Sequence, residues 1–149
     1  MIREAEATDI PALIAMGRAF AASTPMTARV GFDADALAEL FARLIEDEDS
    51  ALLVAEADGL IGMLAMLVYP YYFNPAARMG QELFWWVDPE HRRSGVAGRL
   101  LGHAEAWART RGARAVQMIA LDESEGDAVA AMYKRRGYAP VERSFLKEF

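Results

Sequence analysis

Val87-Asp88-Pro89-Glu90-His91-Arg92-Arg93-Ser94-Gly95-Val96-Ala97-Gly98-Arg99-Leu100-Leu101 is the stretch that decides the fold. It begins at the end of an aromatic-rich run, Glu82 to Val87, that reads as a strand. Asp88-Pro89 stops that strand, because proline has no N–H to give to a ladder. From Gly95 to about Thr110 the pattern becomes helical, with Val96, Leu100, Leu101, Ala104, Trp107 and Ala108 on one side and Gly112 as the stop. Ala113 to Leu121 then reads as another strand. Strand, helix and strand together predict one parallel crossover unit.

The turn between the first strand and the helix carries the chemistry. At a helix start the first backbone N–H groups have no intrahelical partner, and the helix dipole places partial positive charge there, so an anion is bound well. Gly95, Ala97 and Gly98 keep bulky side chains away from a closely lying diphosphate, while Arg92, Arg93 and Arg99 add formal charge. The competing structural reading is a helix start packed tightly on a sheet, beside a solvated pair of arginines.

Working outward toward the N-terminus, Ile2 to Glu6 reads as a short strand. Thr8 is positioned to cap a helix whose stripe is Ile10, Leu13, Ile14, Gly17, Phe20 and Ala21, ending near Ser23 to Pro25. A second helix opens at Asp33, with Leu37, Leu40, Phe41, Leu44 and Ile45 as its stripe. Ala51 to Ala57 and Leu60 to Tyr69 are strands joined by Asp58-Gly59, a two-residue hairpin signal. Tyr71 to Gly80, with a proline and an asparagine, reads as a loop. Toward the C-terminus, Asp127 to Arg136 reads as a short helix stopped by Gly137, and Val141 to Phe149 alternates as a closing strand. The expected class is α+β: a mixed, mostly antiparallel sheet with one parallel crossover and helices on both faces, not a doubly wound sheet.

Bulk properties narrow the functions. A chain of 149 residues with 54% hydrophobic content suits a single domain, residues 1–149, with a full core. With no cysteine and only His91 and His103, thiolate zinc sites and cysteine nucleophiles are excluded and no metal site is expected. The run Leu60 to Tyr72 is broken by Gly62 and Pro70 and is too short to span a bilayer as a helix. Arg3, Glu4, Glu6 and Asp9 interrupt any export signal, so a cytoplasmic protein is expected. Residues 1–75 hold four basic and twelve acidic side chains, and residues 76–149 hold twelve basic and ten acidic. The rear half is therefore the better home for an anionic ligand, and a nucleic-acid face is not expected.

Arg92-x-x-Gly95-x-Ala97, preceded by Val87-x-Pro89, resembles the acetyl-coenzyme A signature of the GNAT superfamily of N-acetyltransferases. Tyr133-Lys134-Arg135-Arg136-Gly137-Tyr138 is similar to that family's Tyr-x-x-x-Gly-Phe segment. One departure is Gly126, where the family often has an asparagine seven residues before the tyrosine. The resemblance implies transfer of an acetyl group from acetyl-coenzyme A to a primary amine of a small molecule or peptide, by direct attack through a tetrahedral intermediate. It implies a cofactor set of Trp85, Val87, Arg92, Arg93, Ser94, Gly95, Val96, Ala97 and Gly98. The pantetheine arm is expected between the two strands of the crossover, which splay apart at a β-bulge, with an N–H near Val87 receiving the acyl oxygen. Glu82 is the candidate general base, acting through a water, and Tyr133 the candidate proton donor to the leaving thiolate. Holding amine and thioester together is worth roughly 7 to 11 kcal/mol of the barrier.

Two other functions share these residues: an acetyl-coenzyme A-binding module without turnover, and an acetyltransferase acting on aminoacyl-tRNA. The acidic front half argues against the second and favours a cationic acceptor. The resemblance also implies a possible homodimer. Tyr71, Tyr72 and Phe73 are read either as acceptor-pocket residues or as an oligomer contact.

Overall fold

The computed structural model describes residues 1–121 and 126–149. Its backbone contacts divide the chain into two compact units, Met1–Ile119 and Ala120–Phe149. The first holds a five-stranded sheet in the order β1-β2-β3-β4-β5, built from Ile2–Glu4 (β1), Ser50–Glu56 (β2), Leu60–Tyr71 (β3), Asn74–Val87 (β4) and Ala113–Gln117 (β5). The first three pairings are antiparallel and β4–β5 is parallel. The helices are Ile10–Ala22 (α1), Pro25–Val30 (α2), Ala34–Glu46 (α3) and Val96–Thr110 (α4). This is the mixed, mostly antiparallel α+β architecture expected, with α4 as the crossover between β4 and β5.

The sheet is covered on both faces because its strands carry apolar residues at both parities. Leu53, Ala55, Leu64, Met66 and Val87 pack with Val96, Leu100, Ala104 and Ala108 of α4. Leu52, Val54, Met63, Ala65 and Trp86 pack with Leu13 and Met16 of α1 and with Phe41 and Leu44 of α3. Trp85 and Trp86 accordingly go to opposite faces, as strand alternation demands. α1 and α3 approach closely at Gly17, where a β-carbon would strike the Leu37 side chain. Asp33 caps α3, its Oδ1 accepting the Asp35 and Ala36 amides at 2.9 and 3.0 Å.

The structure corrects several expected boundaries. The segment 71–80 is mostly strand: β4 begins at Asn74, opposite Tyr71, and only Tyr72 and Phe73 make the turn. Pro75 is tolerated because the register shifts from the Tyr71–Asn74 pair to the Pro70–Arg78 pair, leaving residues 75–77 outside the ladder. A further short helix, α2, lies where the first helix was expected simply to end, with Pro25 in its first turn. β5 stops at Gln117 rather than Leu121.

In the second unit, Gly126–Arg135 forms a helix (α5), and Gly137 ends it at φ +90°. The Tyr138 amide donates to the Tyr133 carbonyl at 3.0 Å, and the two rings lie 5.4 Å apart. Val141–Phe149 is not a strand and is exposed throughout. Its alternation has no ladder to join within this unit, whose described residues contain no other strand.

Candidate active site

The parallel ladder between β4 and β5 is short. It runs from Arg78–Ala113 to Gln81–Gln117 and goes no further, although β4 continues to Val87. At the point of separation β4 carries a bulge, for Ala65 pairs with Phe84 and Met66 with Glu82, leaving Leu83 without a partner on β3. The end of pairing beside a bulge agrees with what the resemblance implies, but its position was not readable in the sequence.

Backbone parity shows what faces the opening. The Asp88 amide donates to the Ile61 carbonyl at 3.0 Å, so that opposed pair is hydrogen-bonded. In an antiparallel ladder such pairs alternate, so Gly62–Val87 and Leu64–Trp85 are the non-bonded ones. The N–H and C=O of Val87 and Trp85 therefore point away from β3, to the side that β5 has left. Groups so directed have the geometry to pair with an amide-bearing arm laid along β4, and the Val87 carbonyl accepts from Arg92 Nε at 3.1 Å.

Glu82 stands where the strands part. It is 6% exposed, and its Oε2 accepts the Ile119 amide at 3.0 Å. The bulge shifts side-chain parity, so Glu82 is opposite Met66 and shares its face of the sheet with Val87 rather than with Phe84. The carboxylate thus bridges the two strands just past their last backbone pair.

At the other end of the opening β4 enters a tight turn and then α4. The His91 amide donates to the Asp88 carbonyl at 2.9 Å, and Ser94 gives both its amide (3.1 Å) and its hydroxyl (2.7 Å) to the His91 carbonyl. Ser94 therefore shapes the turn with both its donors. Gly95 precedes α4 at φ +76°, a left-handed conformation that glycine adopts without strain. Only the Arg99 guanidinium, 3.6 Å away, would approach a β-carbon there. No side chain among the described residues caps the helix, and the Arg99 amide is the first to bond back, to the Gly95 carbonyl at 3.2 Å. The amides at the start of α4, from Val96 to Gly98, are left for an outside acceptor.

The arginines divide their work. Arg93 and Arg99 are exposed beside the turn, with Arg99 Nη1 donating to the Ser94 carbonyl at 3.3 Å. Arg92 is half-buried, donates from Nε to the Val87 carbonyl at 3.1 Å and lies over the Trp86 ring at 4.8 Å. Open amides flanked by guanidinium groups have the chemistry to take a diphosphate.

Tyr133 is buried in α5, within the second unit. A β-carbon at Gly126 would collide with the Leu121 carbonyl oxygen, so this position excludes the family's asparagine without a backbone shift. The rings of Tyr71, Tyr72 and Phe73 cluster 4.6 to 5.9 Å apart at the β3–β4 turn. That turn lies at the opposite end of β4 from the α4 start, so it does not line the opening beside Trp85 and Val87. The contacts of Trp86 with Asp88 and Arg92 were missed from sequence, because only the folded turn brings the three together.

Comparison with known proteins agrees with this geometry. The sequence profile of the acetyltransferase (GNAT) family matches residues 18–138. "Aminoglycoside N(6')-acetyltransferase type 1" of Stenotrophomonas maltophilia is 31% identical over 113 residues, covering 73% of this chain and 72% of that protein. "Acetyl transferase GW6a" of Oryza sativa subsp. japonica is 38% identical over 70 residues, 47% of this chain; the match spans only 16% of the rice protein's length. Among solved structures, AAC(6')-Iy in complex with the bisubstrate analogue CoA-S-monomethyl-acetylneamine superposes with a TM-score of 0.80 at 20% identity, covering 100% of this chain and 97% of that one. A putative acetyltransferase from Agrobacterium tumefaciens gives 0.79 at 17% identity, with 100% and 99% covered. The structural likenesses establish the shared fold, and the profile match over most of the sequence establishes membership: the chain belongs to the acetyltransferase (GNAT) family and is an enzyme whose acyl donor is acetyl-coenzyme A.

Proposed function

We propose that this enzyme acetylates a primary amine on a small cationic molecule or basic peptide, with amino-sugars as the leading class, and that residues 1–149 act as one catalytic domain. The observation that carries the reading is the set of open amides at the start of α4, which follows the part of β4 beyond its last pair with β5. The donor supplies a thioester carbonyl open to attack by a neutral amine. Gly95, Val96, Ala97 and Gly98 hold its diphosphate through their backbone, with Arg92, Arg93 and Ser94 forming the rim. Trp85 and Val87 pair with the amides of its arm through the polar groups they turn into the opening. The Val87 N–H receives the charge that develops on the acyl oxygen.

An alkylammonium acceptor must lose a proton before it attacks, and Glu82 is assigned that proton, through a water. Tyr133 is assigned the proton for the leaving sulfur on the resemblance of its segment to the family's. The preference for a cation rests on the twelve acidic side chains against four basic ones in residues 1–75. The aminoglycoside acetyltransferase relative supports an amino-sugar. We further take the enzyme to be cytoplasmic, to act on neither nucleic acid nor membrane, and to form a homodimer; no helix among the described residues is long and apolar enough to cross a membrane. A thiol-release screen across cationic, neutral and anionic amines tests the proposal. Cationic amino-sugars should give the highest kcat/KM, and a clear preference for neutral or anionic acceptors would overturn it.

A further inference from the structure

We infer that Trp86 is a positioning residue for the donor's diphosphate, acting through Arg92 and Asp88; the inference rests on reading the start of α4 as the diphosphate site. Trp86 is 7% exposed and is anchored in the core, its ring 5.8 Å from that of Phe20 on α1. Its indole Nε1 donates to Asp88 Oδ1 at 2.9 Å, fixing the first residue of the turn. Its π face lies 4.8 Å from the Arg92 guanidinium carbon, near the turn's end. One rigid ring thus grips both sides of the loop that precedes the open amides.

The consequence for Arg92 is specific. With Nε on the Val87 carbonyl and its guanidinium over Trp86, Arg92 is held at the junction between the end of β4 and the helix start. That junction is where the donor's amide-bearing arm meets its diphosphate. Ordering a long cationic side chain on binding costs conformational entropy, and here the packing meets that cost in advance. The rest of the turn is closed by short local bonds among Asp88, Pro89, His91 and Ser94, and Gly95 at its end is intrinsically mobile in φ. Beside the backbone bond from the Asp88 amide to the Ile61 carbonyl, the indole is the side chain that couples these residues to the core.

The test compares coenzyme A with pantetheine, which lacks the diphosphate, as ligands of the intact protein by titration calorimetry. In wild type, coenzyme A should bind at least tenfold more tightly than pantetheine. Trp86→Leu, which removes both contacts, should weaken coenzyme A by about tenfold and leave pantetheine unchanged. Trp86→Phe, which keeps a π face but loses the donor, should weaken coenzyme A by about threefold, and Asp88→Ala should resemble Trp86→Phe. In turnover, Trp86→Leu should raise KM for acetyl-coenzyme A and keep kcat at saturation. The inference is overturned if Trp86→Leu binds coenzyme A like wild type, or loses coenzyme A and pantetheine equally. If Trp86→Leu does not fold, Trp86→Phe and Asp88→Ala decide, and unchanged coenzyme A affinity in both overturns it. Equal wild-type affinity for the two ligands would instead overturn the diphosphate reading itself, and the inference with it.

Discussion

Glu82 and Ile119 are joined across the opening between β4 and β5 by a carboxylate-to-amide hydrogen bond of 3.0 Å, at the point where backbone pairing has just ended. The carboxylate takes the place of the next rung of the ladder. It also puts a proton acceptor at the closed end of the gap, on the strand that carries Trp85 and Val87.

This double duty separates two variants. Glu82→Gln keeps an oxygen for the Ile119 amide, so its thermal unfolding should stay within a few degrees of wild type. Its kcat should fall by about 100-fold or more at neutral pH, because the amide is no base. Glu82→Ala should lose both activity and stability. Full activity in Glu82→Gln, measured by thiol release, would remove Glu82 from the chemistry.

Tyr133→Phe should cost at least about tenfold in kcat with little change in KM for acetyl-coenzyme A. The ring remains to pack against Tyr138, 5.4 Å away, so the melting temperature should hardly move. A lowered melting temperature with kcat intact would mark Tyr133 as structural.

Gly95→Ala forces a side chain into a left-handed conformation at φ +76° and should destabilise the fold by about 1 kcal/mol. The space around the new β-carbon is open, so the protein should still fold. The displaced amide should raise KM for acetyl-coenzyme A severalfold. Steady-state kinetics beside urea unfolding reads both effects.

Arg3 reaches Asp9 with two hydrogen bonds, at 2.7 and 3.0 Å, and Glu56 with a third at 2.9 Å, tying β1 to the start of α1 and to the end of β2. The hydrogen bonds from Arg3 hold the Asp9 carboxyl below the usual carboxylate range. A depressed folded value means stability that is present above the unfolded pKa and lost as pH falls through the folded one. The contribution is on the order of 1 kcal/mol. Urea midpoints measured from pH 7 down to pH 3 should drop less steeply in Asp9→Asn than in wild type; parallel curves would contradict the assignment.

Much of this fold was legible because local signals agreed with one another. Asp58-Gly59 between two apolar runs gave the hairpin, Asp33 gave the start of α3, and Gly95 with the Val96, Leu100 and Ala104 stripe gave α4 and its unpaired amides. What escaped depends on partners distant in sequence. The bulge at Leu83 leaves no periodic trace, since an extra residue is defined only against the opposing β3 register. Pro75 and Asn74 carry loop chemistry, yet the register shift beside them lets the strand run on. Val141–Phe149 alternates like a strand but forms none. Arg92 was legible as a charge near the turn, while its seat on Trp86 was not, because nothing in spacing distinguishes an arginine facing solvent from one stacked on a core ring.

The proposed function depends above all on backbone amides at the start of α4 gripping the donor's diphosphate. The most direct measurement is a backbone-amide NMR titration of the wild-type protein with coenzyme A. Saturable shifts should centre on Gly95, Val96, Ala97 and Gly98, with pantetheine shifting Trp85 and Val87 but not those four. Saturable binding of coenzyme A that leaves the four amides unmoved, or no binding by folded protein, would contradict it.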